Sequence, residues 1–190
     1  MISVKHLRKL PSLVLMFAIF GISSCQDKSY SEAEINEYCK KVDQDLTKYT
    51  LKMMSGYPEP ERRQINAYLD GENPVMMIEE YFGDSARVFT HYYINGNQFV
   101  YAFREDYIYN LPVWYTEDSA RKLGDTVWYD DKKTVMKTES FYFSKNKLQK
   151  WIDGNHKIVQ PGSVPFKKAE FELMEGCLYI VKAIKAKENE

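Results

Sequence analysis

Apolar residues at Ile35, Tyr38, Cys39, Val42, Leu46, Tyr49 and Met53 recur at the three-and-four spacing of a helix, with Lys40, Asp43 and Lys48 on the opposite side. The pattern predicts a helix over 30–56, opened by a Ser31/Glu34 capping box and a Tyr30/Ile35 staple and closed at Gly56. From residue 65 the period shortens to two. Short apolar stretches at 65–69, 75–82, 88–94 and 98–106, separated by turn residues, predict strands of an antiparallel meander. The stretch 75–82 alternates poorly, and Asn73-Pro74 before it and Gly83 after it would also suit a short helix. Residues 111–133 interrupt the strands, and within them Thr116, Glu117 and Asp118 followed by Gly124 predict a two-turn helix. Strands resume at 138–143 and 148–152. Ser163 and Pro165 then open a second long helix, with Phe166, Ala169, Leu173, Cys177, Ile180 and Ile184 along one face. Gly176 costs it about 1 kcal/mol relative to Ala, so 177–181 could pair as a strand instead.

Two stretches overlay without a gap: His91 to Phe103 and Ser140 to Ile152. Each reads as a hairpin, and the overlay puts the two-residue turns at Gly96-Asn97 and Lys145-Asn146. Counting alternate residues assigns Val88, Tyr92, Ile94, Phe99, Tyr101, Phe103, Phe141, Phe143, Leu148 and Ile152 to one face. The other face receives Phe89, His91, Tyr93, Val100, Tyr142, Gln149 and Trp151. The first is the more apolar, so both amphipathic helices are expected to pack on it. The fold class is then α+β: an antiparallel meander sheet of two similar hairpins with an N-terminal and a C-terminal helix on one face. Phe89, His91, Tyr93, Tyr142 and Trp151 are left as a candidate binding surface, unless the 111–133 insertion folds over them and dries them.

The chain's first 24 residues change the picture of where it works. Lys5, Arg8 and Lys9 precede an apolar run over 10–22, too short to cross a membrane, which ends in small residues before Cys25. This block resembles a bacterial lipoprotein signal, which implies lipidation of Cys25 after cleavage. The domain plan is therefore a signal at 1–24, a lipidated tether at 25–29 and one α+β domain at 30–190, in the cell envelope at the outer membrane. Three acyl chains exceed the roughly two needed for stable anchoring. The hairpin motifs Tyr92-Tyr93-Ile94 with Gln98-Phe99, and Phe141-Tyr142-Phe143 with Lys147-Leu148, resemble those of small uncharacterised lipoproteins of Bacteroidota-type bacteria. The resemblance implies no activity.

All 27 acidic residues lie beyond the signal, whereas three of the 26 basic ones lie inside it, so the remaining domain is acidic and nucleic acid is not an expected partner. With 15 Tyr and 10 Phe the chain as a whole is rich in residues that suit strands. Once Cys25 is committed to lipid, Cys39 and Cys177 remain; an exported pair permits a disulfide, but two buried thiols on apolar stripes are preferred. His91 and His156 sit in no zinc-ligand spacing, no phosphate or dinucleotide loop is present, and no nucleophile elbow is found, so neither metal nor cofactor is expected. His91 reads as a packed strand residue. Glu79-Glu80, Glu105-Asp106 and Asp130-Asp131 are not expected to act as catalytic pairs, because neighbours on a strand point to opposite faces, and they read as solvated loop charges. These absences favour a non-catalytic binding or assembly role with a protein or glycan partner in the envelope, engaged by the aromatic face or by the insertion. The alternatives are an enzyme-inhibitor-like or purely structural lipoprotein and, behind these, an enzyme with an unrecognised site.

Overall fold

A computed structural model describes residues 28–55 and 62–186. The signal, Cys25, Gly56 and the prolines at 58 and 60 lie outside the described residues. Seven strands form one antiparallel sheet in chain order: β1 (Thr50–Ser55), β2 (Arg63–Asp70), β3 (Asn73–Phe82), β4 (Ala86–Asn95), β5 (Gln98–Ile108), β6 (Val135–Ser144) and β7 (Lys147–Ile152). Three helices accompany them: α1 (Glu32–Gln44), α2 (Glu117–Leu123) and α3 (Val164–Ala186). The fold is α+β, with a long helix at each end of the described chain.

The first helix starts as its sequence dictates. Ser31 N–H donates to Glu34 Oε2 at 2.9 Å and Glu34 N–H to Ser31 Oγ at 3.3 Å, closing the capping box. It ends much earlier than its periodicity implies, at Asp45, and after one 3₁₀ turn the chain enters β1. Thr50–Ser55 is therefore an edge strand rather than a helical end, and only Met54 of it is buried. The β-branched Thr47 and Thr50 carry little helical preference, and pairing with β2 decides the outcome. The 75–82 stretch is strand throughout, and α2 has the Thr116 and Gly124 caps its sequence predicts.

The two long helices pack on opposite faces of the sheet, which corrects the expectation of one shared face. α1 brings Ile35, Cys39 and Val42 against Met76, Tyr93, Val100 and Tyr142. α3 brings Phe166, Leu173, Cys177, Ile180 and Ile184 against Ile65, Met77, Tyr92, Phe99 and Phe143. Both stripes are buried, but a sheet has two faces to offer and each helix takes one. The 111–133 insertion covers neither centre; it is tied to the β3–β4 turn through Tyr109 N–H to Ser85 O at 3.0 Å and Val113 N–H to Asp84 O at 2.9 Å.

Counting alternate residues fails at three bulges. In β2–β3, Tyr68 pairs with Met76 but Leu69 with Pro74, so Val75 is extra. In β4–β5, Tyr93 pairs with Tyr101 but Ile94 with Phe99, leaving Val100 extra. In β6–β7, Gln149 is extra in the same way, between Phe143↔Leu148 and Tyr142↔Lys150. Each extra residue moves all later ones in its strand to the other face. Tyr101 and Ile152 accordingly lie in the α1 cluster, not with Phe99 and Leu148, and Trp151 lies on the α3 side.

The α3 helix runs unbroken through Gly176, so 177–181 is not a strand. Its glycine has a packing reason. A Cβ there would stand 2.7 Å from the Tyr92 hydroxyl oxygen, so helix and sheet approach as closely as they do only because no side chain intervenes.

Candidate functional site

The aromatic surface predicted from the sequence is not one surface. Phe89, His91, Tyr93 and Tyr142 do share the α1 side, but Tyr93 and Tyr142 are buried beneath α1, and Tyr93 donates from its hydroxyl to Asp43 Oδ1 at 2.9 Å. Trp151 stands on the opposite face, stacked on Phe141 at 5.3 Å between ring centroids. What remains beyond the end of α1 is half-buried: Phe89 against Tyr107 at 5.8 Å, and His91 against Phe103 at 5.9 Å with Nε2 3.4 Å from Glu105. Burial lowers the His91 pKa, and Glu105 opposes that shift without cancelling it. Cys39 and Cys177 are free thiols in clusters on opposite sides of the sheet, so they do not form the disulfide their number permits. Burial pushes both thiols up to about 12, which keeps them protonated and unreactive.

The α3 face holds a different arrangement, which the sequence reading passed over. Rows of paired residues cross the sheet. One row, Ala67, Met77, Tyr92, Ala102, Phe141 and Trp151, is the apolar to aromatic floor beneath the helix. The next row runs Ile65, Glu79, Thr90, Arg104, Glu139 and turns polar. Between that row and the first turns of α3 opens a cleft of about 490 Å³, walled on the helix side by Pro165, Lys168, Ala169, Glu172 and Leu173. Its volume lies in the range of small-molecule sites.

Ion pairs hold the polar row in place. Arg63 Nη1 donates to Glu79 Oε1 at 2.7 Å, and the Tyr92 hydroxyl donates to Glu79 Oε2 at 3.0 Å, so both oxygens of a carboxylate only 13% exposed are engaged. Arg104 Nε donates to Asp106 Oδ1 at 2.8 Å and stands opposite Glu139 in the strand pairing. Burial raises the Glu139 carboxyl pKa, with Arg104 and the Trp151 indole N–H pulling it back down. One donor in the wall, Arg63 Nε, is buried without a hydrogen bond, whereas the Trp151 indole N–H faces Glu139. A buried donor left unpaired costs about 1–3 kcal/mol.

Of the site residues read from the sequence, only Trp151 reaches this cleft. Glu79, Glu80, Glu105 and Asp106 are not charges in solvated loops: all four lie in strands, and Glu80 pairs with Arg87 on the α1 side while Glu79 faces the cleft. The signal that could have found the site is a charge at alternating positions shared with core residues. Glu79 lies two residues from Met77, Arg104 two from Ala102 and Glu139 two from Phe141. Among the described residues no three His, Cys, Asp or Glu side chains gather as a metal ion would require, and no helix is long and apolar enough to cross a membrane. No protein family, curated protein or solved structure matches the chain.

Proposed function

We propose that this chain is a lipid-anchored protein of the cell envelope, held at the outer membrane through Cys25, that binds a partner without transforming it, with the cleft beside α3 as the place of binding. The observation that carries the reading is the row Glu79, Thr90, Arg104, Glu139 on a face that is otherwise core. Removing an ion from water costs several kcal/mol even in a protein, and apolar residues of similar volume would often serve stability better. Charges kept at such positions point to a task other than folding.

An anchor at Cys25 would also set the orientation of the domain. With its amide oriented to satisfy both contacts, Gln98 donates to Lys28 O at 2.8 Å and accepts from Lys28 N–H at 2.9 Å, and Ser29 Oγ meets Ser144 Oγ at 3.1 Å. Only two residues separate Lys28 from Cys25, a reach of about 10 Å. The end of the sheet that carries the Gly96 and Lys145 turns would therefore face the lipid, and the insertion would point away. We read β4–β5 and β6–β7 as two copies of one hairpin, supported by turns at Gly96-Asn97 and Lys145-Asn146 and by the corresponding extra residues Val100 and Gln149.

Two measurements test this reading. Labelled palmitate is expected in the wild type and absent from Cys25→Ala, which should leave the membrane fraction or persist uncut; label retained in the variant removes the anchor. A photo-crosslinker replacing Lys168 at the cleft rim should capture an envelope component in intact cells, and one replacing the exposed Leu123 of the insertion should not. Capture from Leu123 alone moves binding to the insertion, and capture from neither position ends the binding role.

A further inference from the structure

The outer face of α3 carries an apolar stripe that nothing among the described residues covers. Val164, Phe171 and Leu178 stand seven residues apart, about two helical turns each, and are 82%, 66% and 43% exposed. They point away from the sheet, which receives Phe166, Leu173, Ile180 and Ile184 instead. Large apolar side chains exposed in one row mark an interaction surface. One flank of the row bears Lys168, Glu172 and Glu175, with Lys168 3.6 Å from Glu172.

This face is complementary to itself. When two such helices lie antiparallel with Phe171 of both copies on the two-fold axis, each Val164 faces the second copy's Leu178, and each Lys168 falls between the second copy's Glu172 and Glu175. The three apolar residues are closed off together, with opposite charges at the rim. We infer that two copies of this chain pair through the outer faces of their α3 helices, antiparallel and centred on Phe171. The placement of α3 on the sheet fits this pairing. Leu148 N–H on β7 donates to Glu170 Oε2 at 3.1 Å, Gly176 abuts Tyr92 on β4, and Lys52 Nζ on β1 donates to Ile184 O at 2.8 Å, so the helix crosses the strands. A two-fold axis relating antiparallel helices stacked on their outer faces is perpendicular to the helices and to the line joining them, and here that is the strand direction. With the anchor oriented as proposed above, the axis stands upright on the membrane and both lipid anchors enter the same surface. The cleft lies on the side of α3 remote from the Gly96 turn, so both clefts open away from the lipid. One helix face per copy is a small interface, and shared anchoring raises the effective concentration that fills it. A lipid surface suits the row less well, because Glu172 and Glu175 flank it and the face points along the membrane plane.

Cysteine crosslinking of the full-length chain in intact cells tests the pairing and its register. Two cysteines bridge when their Cα atoms come within about 7 Å. Phe171→Cys, on the axis, should give a disulfide-linked product of twice the monomer mass under a mild oxidant. Val164→Cys alone should not, since the two copies of residue 164 would stand about 21 Å apart along the helices. Val164→Cys combined with Leu178→Cys in one chain should crosslink again. Cys39 and Cys177 are buried, which keeps the background low. In detergent, Lys168→Glu should raise the dissociation constant of the pair at least about tenfold, and adding Glu172→Lys with Glu175→Lys should restore it. All these positions are exposed, so the substitutions leave the core intact. Absence of product from Phe171→Cys overturns the pairing, and equal product from Val164→Cys and Phe171→Cys overturns its register. Quenching of Phe171→Trp fluorescence by brominated lipid vesicles, beyond that of wild type and without crosslinking, makes a membrane the occupant and overturns the inference. The doubled mass is read in membrane and soluble fractions alike, so loss of the anchor and loss of the pairing are told apart. The same mass distinguishes capture of a second copy from Lys168 from capture of a cleft partner.

Discussion

The two sides of the sheet are built from the same strands and differ in how they satisfy polar groups. On the α1 side the contacts are tyrosine-rich and three hydroxyls are answered within the layer: Tyr38 to Ile94 O, Tyr93 to Asp43 at 2.9 Å, Tyr101 to Ser140 Oγ at 3.0 Å. On the α3 side the centre is dry, with Phe143, Ile180 and Ile184 fully buried, and the polar groups are collected at one end as the cleft. The first arrangement distributes polarity through a packed interface. The second separates it, and a separated polar patch next to a concavity can be spent on a ligand. Helix length contributes to this difference: α1 has 13 residues and α3 has 23, yet the longer helix meets the polar row with its exposed rim residues Lys168 and Glu172 instead of with an apolar stripe.

The largest expected effect that separates the sides is in the dry centre. Phe143→Ala should destabilise the protein by about 3–5 kcal/mol, because a fully buried ring leaves a cavity that α3 and β5 cannot close. Tyr93→Phe on the α1 side removes one hydrogen bond to Asp43 and should cost about 1–2 kcal/mol. Urea denaturation at neutral pH measures both. If Tyr93→Phe proved as damaging as Phe143→Ala, the α1 interface would be the structural centre and the contrast would reverse.

Six of the seven strands, both long helices and the caps of α2 were legible, since alternation, turn residues and capping pairs are local and each element needed little else. β1 was not, because Leu46, Tyr49 and Met53 continue the helical spacing of α1 by coincidence and only pairing with β2 turns Thr50–Ser55 into strand. The faces were legible as far as each bulge and no farther. An extra residue such as Val100 leaves no mark in composition, yet it carries Phe103 to the α1 side, and its counterpart Gln149 carries Trp151 to the α3 side in β7. The candidate site failed for a related reason. Glu79 was weighed only with its sequence neighbour Glu80 and Glu139 was not singled out, whereas their partners, Arg63 and Arg104, come from other strands.

A smaller effect probes how closely the two layers approach on the α3 side. Gly176→Ala gains about 1 kcal/mol of helix propensity but forces a Cβ to 2.7 Å from the Tyr92 hydroxyl, so a net loss of about 1–2 kcal/mol is expected. Tyr92→Phe removes the obstructing oxygen, and the pair of substitutions should recover most of that loss. Additive losses would show that the helix spacing is set elsewhere.

The smallest effect is one of sign, and it sets the two sides against each other in acid. On the α1 side His91 has a native pKa lowered by burial, so the unfolded chain takes up its proton first as pH falls below about 6.5, and this lowers stability. The groups that act on it are Glu105 and, from α1, Asp43; both pull its pKa upward without reversing the shift. On the α3 side Glu139 has a native pKa raised above its ordinary 4.5. The folded protein takes up that proton first, so falling pH through the same acid range raises stability, and the contribution is unfavourable at neutral pH. His91→Gln should therefore make the protein more resistant to mild acid than wild type, relative to each one's stability at neutral pH. Glu139→Gln should make it relatively less resistant while leaving it slightly more stable at neutral pH. Denaturation series from neutral to mildly acidic pH measure both slopes, and slopes of the same sign for the two variants would mean that the opposition between the faces does not reach their titrating groups.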